Sequence, residues 1–141
     1  LLETLALRYE EGWQPLAVSS SEQMIEAGNR GADLLRRFHD HGFSHLALTL
    51  SSFEVRASEG RLNLRFCRLE QITPVPAITQ QRRLEELSSL AASLISDDRI
   101  TRTQWLRWLL RYLNRRERSH WKAAWRTIVA VHSPSTIRRA A

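Results

Sequence analysis

The stretch 41-HGFSHLALTLSSFEV-55 joins two different sequence patterns, and it decides the predicted fold. Before it, apolar residues recur every three to four positions, which predicts a helix over 22–41 that ends at Gly42. After it, Phe53 and Val55 alternate with polar residues, as is typical of a strand. The stretch is therefore predicted to be a loop between a helix and a strand.

A β-hairpin is predicted to follow this loop. Alternating apolar residues continue to Phe66, and the intervening ASEG turn contains Gly60, which tolerates the backbone angles of a tight turn. The next segment, TPVPAIT, is predicted to be a loop held extended by Pro74 and Pro76. Residues 13–18 are also predicted to be a loop, because Pro15 interrupts them.

Three further helices are predicted from apolar spacing, over 80–95, 103–115 and 118–131. Residues 1–5, LLETL, are predicted to be a short extended entry. The predicted fold class is mainly α with one small β-hairpin. A length of 141 residues fits a single domain, 1–141.

The helix over 22–41 carries two further signals. Ser19 followed by Glu22 predicts a capping box at its start. Gly28 and Gly31 lie inside the helix, where each costs about 1 kcal/mol relative to alanine. Close packing against another element would explain both glycines.

Composition narrows the class of protein. Hydrophobic residues make up 43% of the chain, which is enough to fold, and no apolar run approaches the roughly 20 residues that span a bilayer. No signal peptide is recognised, and the start at Leu1 suggests a fragment or a trimmed chain. The single Cys67 excludes an internal disulfide, so a reducing, cytoplasmic setting is expected.

The chain is basic, with a formal net charge of +6, and Lys122 is its only lysine. Such a charge suggests an anionic partner, and a solvated helix face is the plainer interpretation. One cluster near the third and fourth helices is a candidate surface for anionic lipid or phosphorylated glycolipid. This predicted patch consists of Arg111, Arg115, Arg116, Arg118, Lys122 and Arg126.

The loop itself has the order of a phosphoryl-transfer loop. A protein-kinase catalytic loop places Asp two residues and Asn seven residues after its histidine. Counted from His45, these positions hold Ala47 and Ser52. The histidine is structural in such a loop, so no catalytic residue is predicted here.

The wider order of elements resembles the bacterial lipopolysaccharide kinase family, the heptose and Kdo kinases and their InaA-type relatives. FHDHGFSHLALTLSSFEV and then LRFCRLE stand where the family has its helix end, catalytic loop and metal-binding strand. QQRRLEELSSLAASL and WLRWLLRYL resemble its later helices, and LLETL at 1–5 resembles its hinge. The resemblance covers about the first 115 residues. It implies the C-terminal lobe of a protein-kinase-like fold, with the degenerate loop and hairpin at 45–67 and helices over 80–131.

The same resemblance implies which functional positions have changed. The catalytic Asp corresponds to Ala47 and the magnesium-binding Asn to Ser52. The metal-binding Asp corresponds to Arg65, with Phe66 after it, or to Cys67 if the alignment slides by two. None of these is a carboxylate for a hard cation. In the first register, the Arg65 guanidinium is a candidate to replace the magnesium and pair with a phosphate.

The nucleotide clamp of a kinase is also missing from the sequence. No glycine-rich GxGxxG loop occurs, and Lys122 lies in a late helix rather than on an early strand. ATP and magnesium are therefore expected only if an N-terminal lobe precedes Leu1 in a longer protein.

Other kinds of site have weaker support. His39, Asp40 and His41 could suggest a metal site with His45, but a metal is not expected because Gly42 interrupts the helix between them. Ser51 and Ser52 lack an adjacent base for hydrolysis. Glu85 and Glu86 are interpreted as solvated charges, and the tryptophans of the late helices as core residues.

The leading hypothesis is a pseudokinase-like member of the family, with a binding or regulatory role at the inner face of the cytoplasmic membrane. Anionic lipid, a lipopolysaccharide core precursor and a protein are its candidate partners. An active ATP-dependent kinase for a lipopolysaccharide core sugar is one alternative. A basic helical nucleic-acid-binding module is the other, although no recognition helix is evident and nucleic acid is not the expected partner.

Overall fold

The computed structural model describes residues 12–94 and 97–130. Within these residues the helices are α1 (Ser21–Asp40), α2 (Gln80–Leu94), α3 (Arg102–Tyr112), α4 (Arg115–Arg118) and α5 (Trp121–Ala130). The strands are β1 (Gln14–Pro15), β2 (Phe43–His45), β3 (Phe53–Ser58), β4 (Arg61–Phe66) and β5 (Ile72–Pro74). Single turns of 3-10 helix lie at Leu16–Val18, Leu50–Ser52 and Leu69–Gln71. The predicted entry at 1–5 and the predicted helix end at Val131 lie outside the described residues.

The chain is mainly helical, as predicted, but its strands form two small sheets rather than one hairpin. Strands β1, β3 and β4 form an antiparallel sheet in that order, and β2 pairs with β5 in a second antiparallel sheet. The three strands beyond the hairpin, β1, β2 and β5, come from segments predicted to be loops. Pro15 and Pro74 each end a strand of two or three residues at a sheet edge, a position that proline tolerates.

The predicted hairpin is present as β3 and β4. Phe53 pairs with Phe66 and Val55 with Leu64, so the apolar side chains of both strands share one face. Glu59 and Gly60 form the two-residue turn with positive φ angles of 51° and 73°. This geometry matches the right-handed twist of the strands and explains the glycine.

Helix α1 begins and ends through local backbone contacts. The capping box uses Ser20 and Gln23, one residue beyond the predicted Ser19 and Glu22. Ser20 Oγ accepts the Gln23 N–H at 3.2 Å, and the Gln23 side chain accepts the Ser20 N–H at 3.1 Å. At the other end, Gly42 has a φ of 81°, as predicted for a helix stop.

Helix α1 packs against α3 and β4, and its glycines allow this approach. A Cβ added to Gly28 would lie 1.9 Å from Cε2 of Trp108, a buried residue of α3. A Cβ on Gly31 would lie 3.5 Å from Leu64 Cδ2, an ordinary contact. The packing is therefore too close for a side chain at Gly28, whereas a Cβ would fit at Gly31.

The C-terminal helices differ from the prediction in their boundaries. The helix predicted over 103–115 ends at Tyr112, because Asn114 caps a new helix by accepting the Glu117 N–H at 2.9 Å. The helix predicted over 118–131 is divided into α4 and α5. Arg118 donates from Nε to the carbonyl oxygens of Leu110 and Leu113, which stabilises the end of α3.

The hydrophobic core joins α1, α2, α3 and α5 to the inner face of the hairpin. The loop after β2 is anchored in it, since Leu48 is completely buried. Across residues 12–94 and 97–130, no helix combines the length and apolarity needed to cross a bilayer. Buried members of the hydrophobic core include Met24, Leu35, Phe53, Leu87, Trp108, Leu109, Tyr112 and Leu113.

Candidate functional site

The loop from His45 to Ser52 is held by its own hydrogen bonds. His45 is 1% exposed, and its Nδ1 accepts the Ala47 N–H at 3.1 Å. Ser52 Oγ accepts the Thr49 N–H at 3.0 Å and donates to the Ala47 carbonyl at 3.4 Å. The hydroxyl of Ser52 is thus used inside the loop. Burial lowers the pKa of His45, so the neutral imidazole that accepts the Ala47 N–H is favoured.

Cys67 lies directly against this loop. Its N–H donates to the Ser52 carbonyl at 2.9 Å, and its thiol donates to the Ser51 carbonyl at 3.1 Å. One of the two alignments considered above places Cys67 at the position of the metal-binding Asp. Cys67 therefore lies against the loop, as a residue at that position would.

Arg65 has a different environment from the one hypothesised for it. It pairs across the strands with Glu54, at 3.2 Å from its Nε to Oε1, and its guanidinium lies 4.1 Å from the Trp13 ring centroid. Phe66 points to the opposite face, where its ring packs on Phe53 and on His45. Arg65 is thus engaged on the face that carries Glu54 and Trp13, away from the His45–Phe66 contact.

These positions do not fit a magnesium site. Ala47 has no polar side-chain atom, and Ser52 and Cys67 donate to loop carbonyls. Mg²⁺ prefers carboxylate and water oxygens in an octahedral arrangement. Among the described residues, no group of three His, Cys, Asp or Glu side chains is placed to hold a metal ion. His39, Asp40, His41 and His45 belong to no such group.

The prediction that Glu86 is a solvated charge is wrong, because its carboxylate is buried beneath the loop. Glu86, on α2, is 3% exposed, whereas its neighbour Glu85 is solvated as expected. Its Oε1 accepts the His45 N–H at 2.7 Å and His39 Nε2 at 3.1 Å. Its Oε2 accepts the Ser44 hydroxyl at 2.8 Å and lies 3.3 Å from Arg82 Nε.

The environment of Glu86 favours its charged form. Burial alone would raise its pKa, but the hydrogen bonds from His39, the His45 backbone and Ser44 outweigh burial and lower it. Arg82 adds a donor to the His45 carbonyl at 3.3 Å. Both backbone polar groups of His45 are therefore bound by side chains of α2, which fixes the start of the loop.

His39 links this carboxylate to α3. Its Nδ1 lies 2.6 Å from the Tyr112 hydroxyl, and both residues are almost completely buried. Burial raises the pKa of Tyr112 to about 12, so the phenol remains protonated. His39 Nε2 donates to the Glu86 carboxylate, because an ionised carboxylate can only accept. The histidine is thus part of a structural network.

The predicted basic patch does not act as one set of free cations. Arg111 makes a bidentate ion pair with Asp33, at 2.9 Å for both bonds, and Arg118 binds backbone carbonyls. Arg115 and Arg116 are exposed. The other two members, Lys122 and Arg126, lie with Arg102 beside a groove between α3 and α5. Arg102 was not included in the predicted patch.

The fold and the loop together define a mostly helical domain with small antiparallel sheets, in which a short loop after β2 is fixed on a buried glutamate. Among solved structures, one of WaaP in complex with acyl carrier protein has this fold, with a TM-score of 0.64. The two chains are 18% identical over 94% of this chain, and the match spans 57% of the WaaP chain. No family profile and no curated protein matches the sequence.

Proposed function

We propose that the chain is the C-terminal lobe of a kinase-like protein related to the lipopolysaccharide kinases, and that it binds a partner or ligand without transferring phosphate. The proposal rests on one observation, which is that the loop from His45 to Ser52 is well ordered by hydrogen bonds but lacks the residues that catalysis needs. The loop is held firmly at His45 and at Ser52, yet the positions for an acid and for metal ligands hold Ala47, Ser52 and Cys67. Phosphoryl transfer depends on magnesium and on a base that positions the nucleophile.

Two further observations support the proposal. The fold likeness to WaaP agrees with the kinase-like family that the sequence resembles, although 18% identity carries the fold alone. The basic surface supports a peripheral position at a membrane, since anionic lipids attract exposed cations. WaaP was solved with acyl carrier protein, and a protein partner for this chain is included in the proposal.

A thermal-shift titration tests the proposal. The melting temperature is measured with ATP alone, with magnesium alone and with both, on this chain and on any longer protein that contains it. A ligand at 100 times its dissociation constant would stabilise the folded state by about 2.7 kcal/mol. We expect the combination of ATP and magnesium to shift the melting temperature no more than either ligand alone, because the loop offers magnesium no carboxylate.

A shift that requires both ATP and magnesium would contradict the proposal and favour the active kinase. ATP-dependent phosphate transfer to a heptose-containing acceptor would then establish that activity. A shift with ATP alone would identify a retained nucleotide site without turnover. In that case an Arg65→Ala variant tests whether the guanidinium contributes, and normal binding by the variant would remove Arg65 from the site.

A further inference from the structure

A concave surface lies between the start of α3 and α5, and none of its lining residues belongs to the loop from His45 to Ser52. This groove has a volume of about 310 Å³, which reaches the lower end of the range for small-ligand sites. Its floor is apolar, formed by Leu106, Trp121 and Trp125, and its rim carries three cations, Arg102, Lys122 and Arg126. No carboxylate lines it.

In the part of the chain that the structure describes, no acidic side chain pairs with the cations of the rim. Within residues 12–94 and 97–130, no ion pair or side-chain hydrogen bond engages Arg102, Lys122 or Arg126, and all three are exposed. Arg111 and Arg118, by contrast, are engaged by Asp33 and by backbone carbonyls. Three uncompensated cations around one opening create a local potential that attracts a compact anion.

The aromatic side chains of the floor are arranged for an interface between polar and apolar surroundings. Trp121 and Trp125 are half-buried and pack against the core along part of each ring. The ammonium group of Lys122 lies 5.8 Å from the centroid of the Trp121 ring. Tryptophan beside lysine and arginine is the combination found at the head-group level of membranes.

We propose that this groove binds the phosphate head group of an anionic phospholipid at a membrane surface. Arg102, Lys122 and Arg126 surround the phosphate, and Leu106, Trp121 and Trp125 contact the glycerol backbone and the first methylene groups. The site rests on the peripheral membrane position included in the proposed function and names the groove and the lipid group responsible for it, and neither nucleotide nor the His45 loop takes part in it.

The same observations disfavour single-stranded nucleic acid as the occupant. Proteins that bind single-stranded nucleic acid combine cations that follow the nucleic-acid backbone with open aromatic faces on which successive bases stack. Here the free cations form one local cluster, and Lys122 lies over a face of Trp121 that a base would need. A single head group fits this arrangement better than a polymer does.

Vesicle co-sedimentation tests the site in three proteins. These are the unmodified chain, a groove variant (Arg102→Gln, Lys122→Gln and Arg126→Gln) and a control variant (Arg107→Gln, Arg115→Gln and Arg116→Gln). Both variants lose three positive charges, and all six positions are exposed, so melting temperatures should match that of the unmodified chain. The vesicles contain phosphatidylcholine alone or with phosphatidylglycerol, and no ATP is added.

We expect the unmodified chain to bind only the vesicles with phosphatidylglycerol. The groove variant should bind them on the order of 100-fold more weakly, as three head-group contacts are lost. The control variant should lose only a few-fold, because its cations contribute through the diffuse field alone. That difference would separate a defined site from general charge attraction.

Three results would overturn the proposal: absence of vesicle binding, equal losses in the two variants, or tighter binding of a thymidine oligonucleotide that depends on the groove cations. Equal losses would mean diffuse attraction, and oligonucleotide binding would assign the groove to nucleic acid. Each result leaves the thermal-shift outcome with ATP and magnesium unchanged, so failure here is distinguishable from failure of the proposed function.

Discussion

Replacement of Gly28 by alanine is expected to lower the free energy of unfolding by about 2 kcal/mol or more. The new Cβ would lie 1.9 Å and 2.1 Å from two ring atoms of Trp108, far inside van der Waals contact. Trp108 is only 6% exposed, so the new Cβ would meet a buried aromatic ring rather than the far end of a flexible side chain. The gain of about 1 kcal/mol from better helix propensity is too small to offset this overpacking. Urea denaturation measures the change.

Gly31→Ala is the matched control in the same helix. Its Cβ would meet Leu64 Cδ2 at 3.5 Å, so we expect a neutral effect or stabilisation by up to about 1 kcal/mol. Combining Gly28→Ala with Trp108→Phe should recover part of the loss, because the smaller ring removes atoms from the clash. Similar effects of the two alanines would contradict the packing of α1 on α3 described above.

Replacement of Glu86 by glutamine is expected to destabilise the chain by about 3 kcal/mol. Glutamine has nearly the same shape, but its amide NH₂ would replace one of the two acceptor oxygens. The Glu86 carboxylate accepts from His39, Ser44 and the His45 backbone, and Arg82 lies beside it. At least one buried donor would lose its acceptor, and the remaining bonds would lose their charge. Chemical denaturation again provides the measurement.

Glu85→Gln is the control for this substitution. The neighbouring side chain is 53% exposed and approaches Arg82 no closer than 3.7 Å, so the expected change is within about 0.5 kcal/mol. If Glu85→Gln and Glu86→Gln had equally small effects, the buried network under the loop would not exist as described.

The effect of Glu86 on stability should also depend on pH. Its pKa is lowered in the folded state from an ordinary value of 4.5. Its contribution is therefore complete above pH 4.5 and is lost as the pH falls through the folded-state pKa. The difference in unfolding free energy between the unmodified chain and Glu86→Gln should be constant near neutrality and shrink below pH 4.5. A difference that grew on acidification would contradict the lowered pKa.

The elements that local pattern specifies were predictable from the sequence. The periodicity of α1, the alternation of β3 and β4, and the stop at Gly42 all depend on neighbouring residues, and all three are present. The interior glycine Gly28 also indicated a close approach, although the pattern alone did not identify Trp108 as the partner.

The features that were missed depend on residues distant in the chain. Glu86 looks like Glu85 in any local window, and its burial follows from His39, Ser44 and His45, which lie 41 to 47 residues away. Arg111 looks free until Asp33, 78 residues away, is brought beside it. Strand β5 contains a proline and became visible only through its pairing with β2.

The proposed function requires that the loop from His45 to Ser52, placed like a kinase catalytic loop, binds no catalytic metal. Water-proton relaxation with Mn²⁺ and ATP tests it most directly, because the paramagnetic ion reports its own binding to a protein. We predict that adding the chain, or a longer protein that contains it, leaves the relaxation of the Mn²⁺–ATP complex at its value in buffer. An active protein kinase serves as the positive control. Relaxation enhanced by the chain, and restored to the buffer value by excess magnesium and ATP, would contradict the claim.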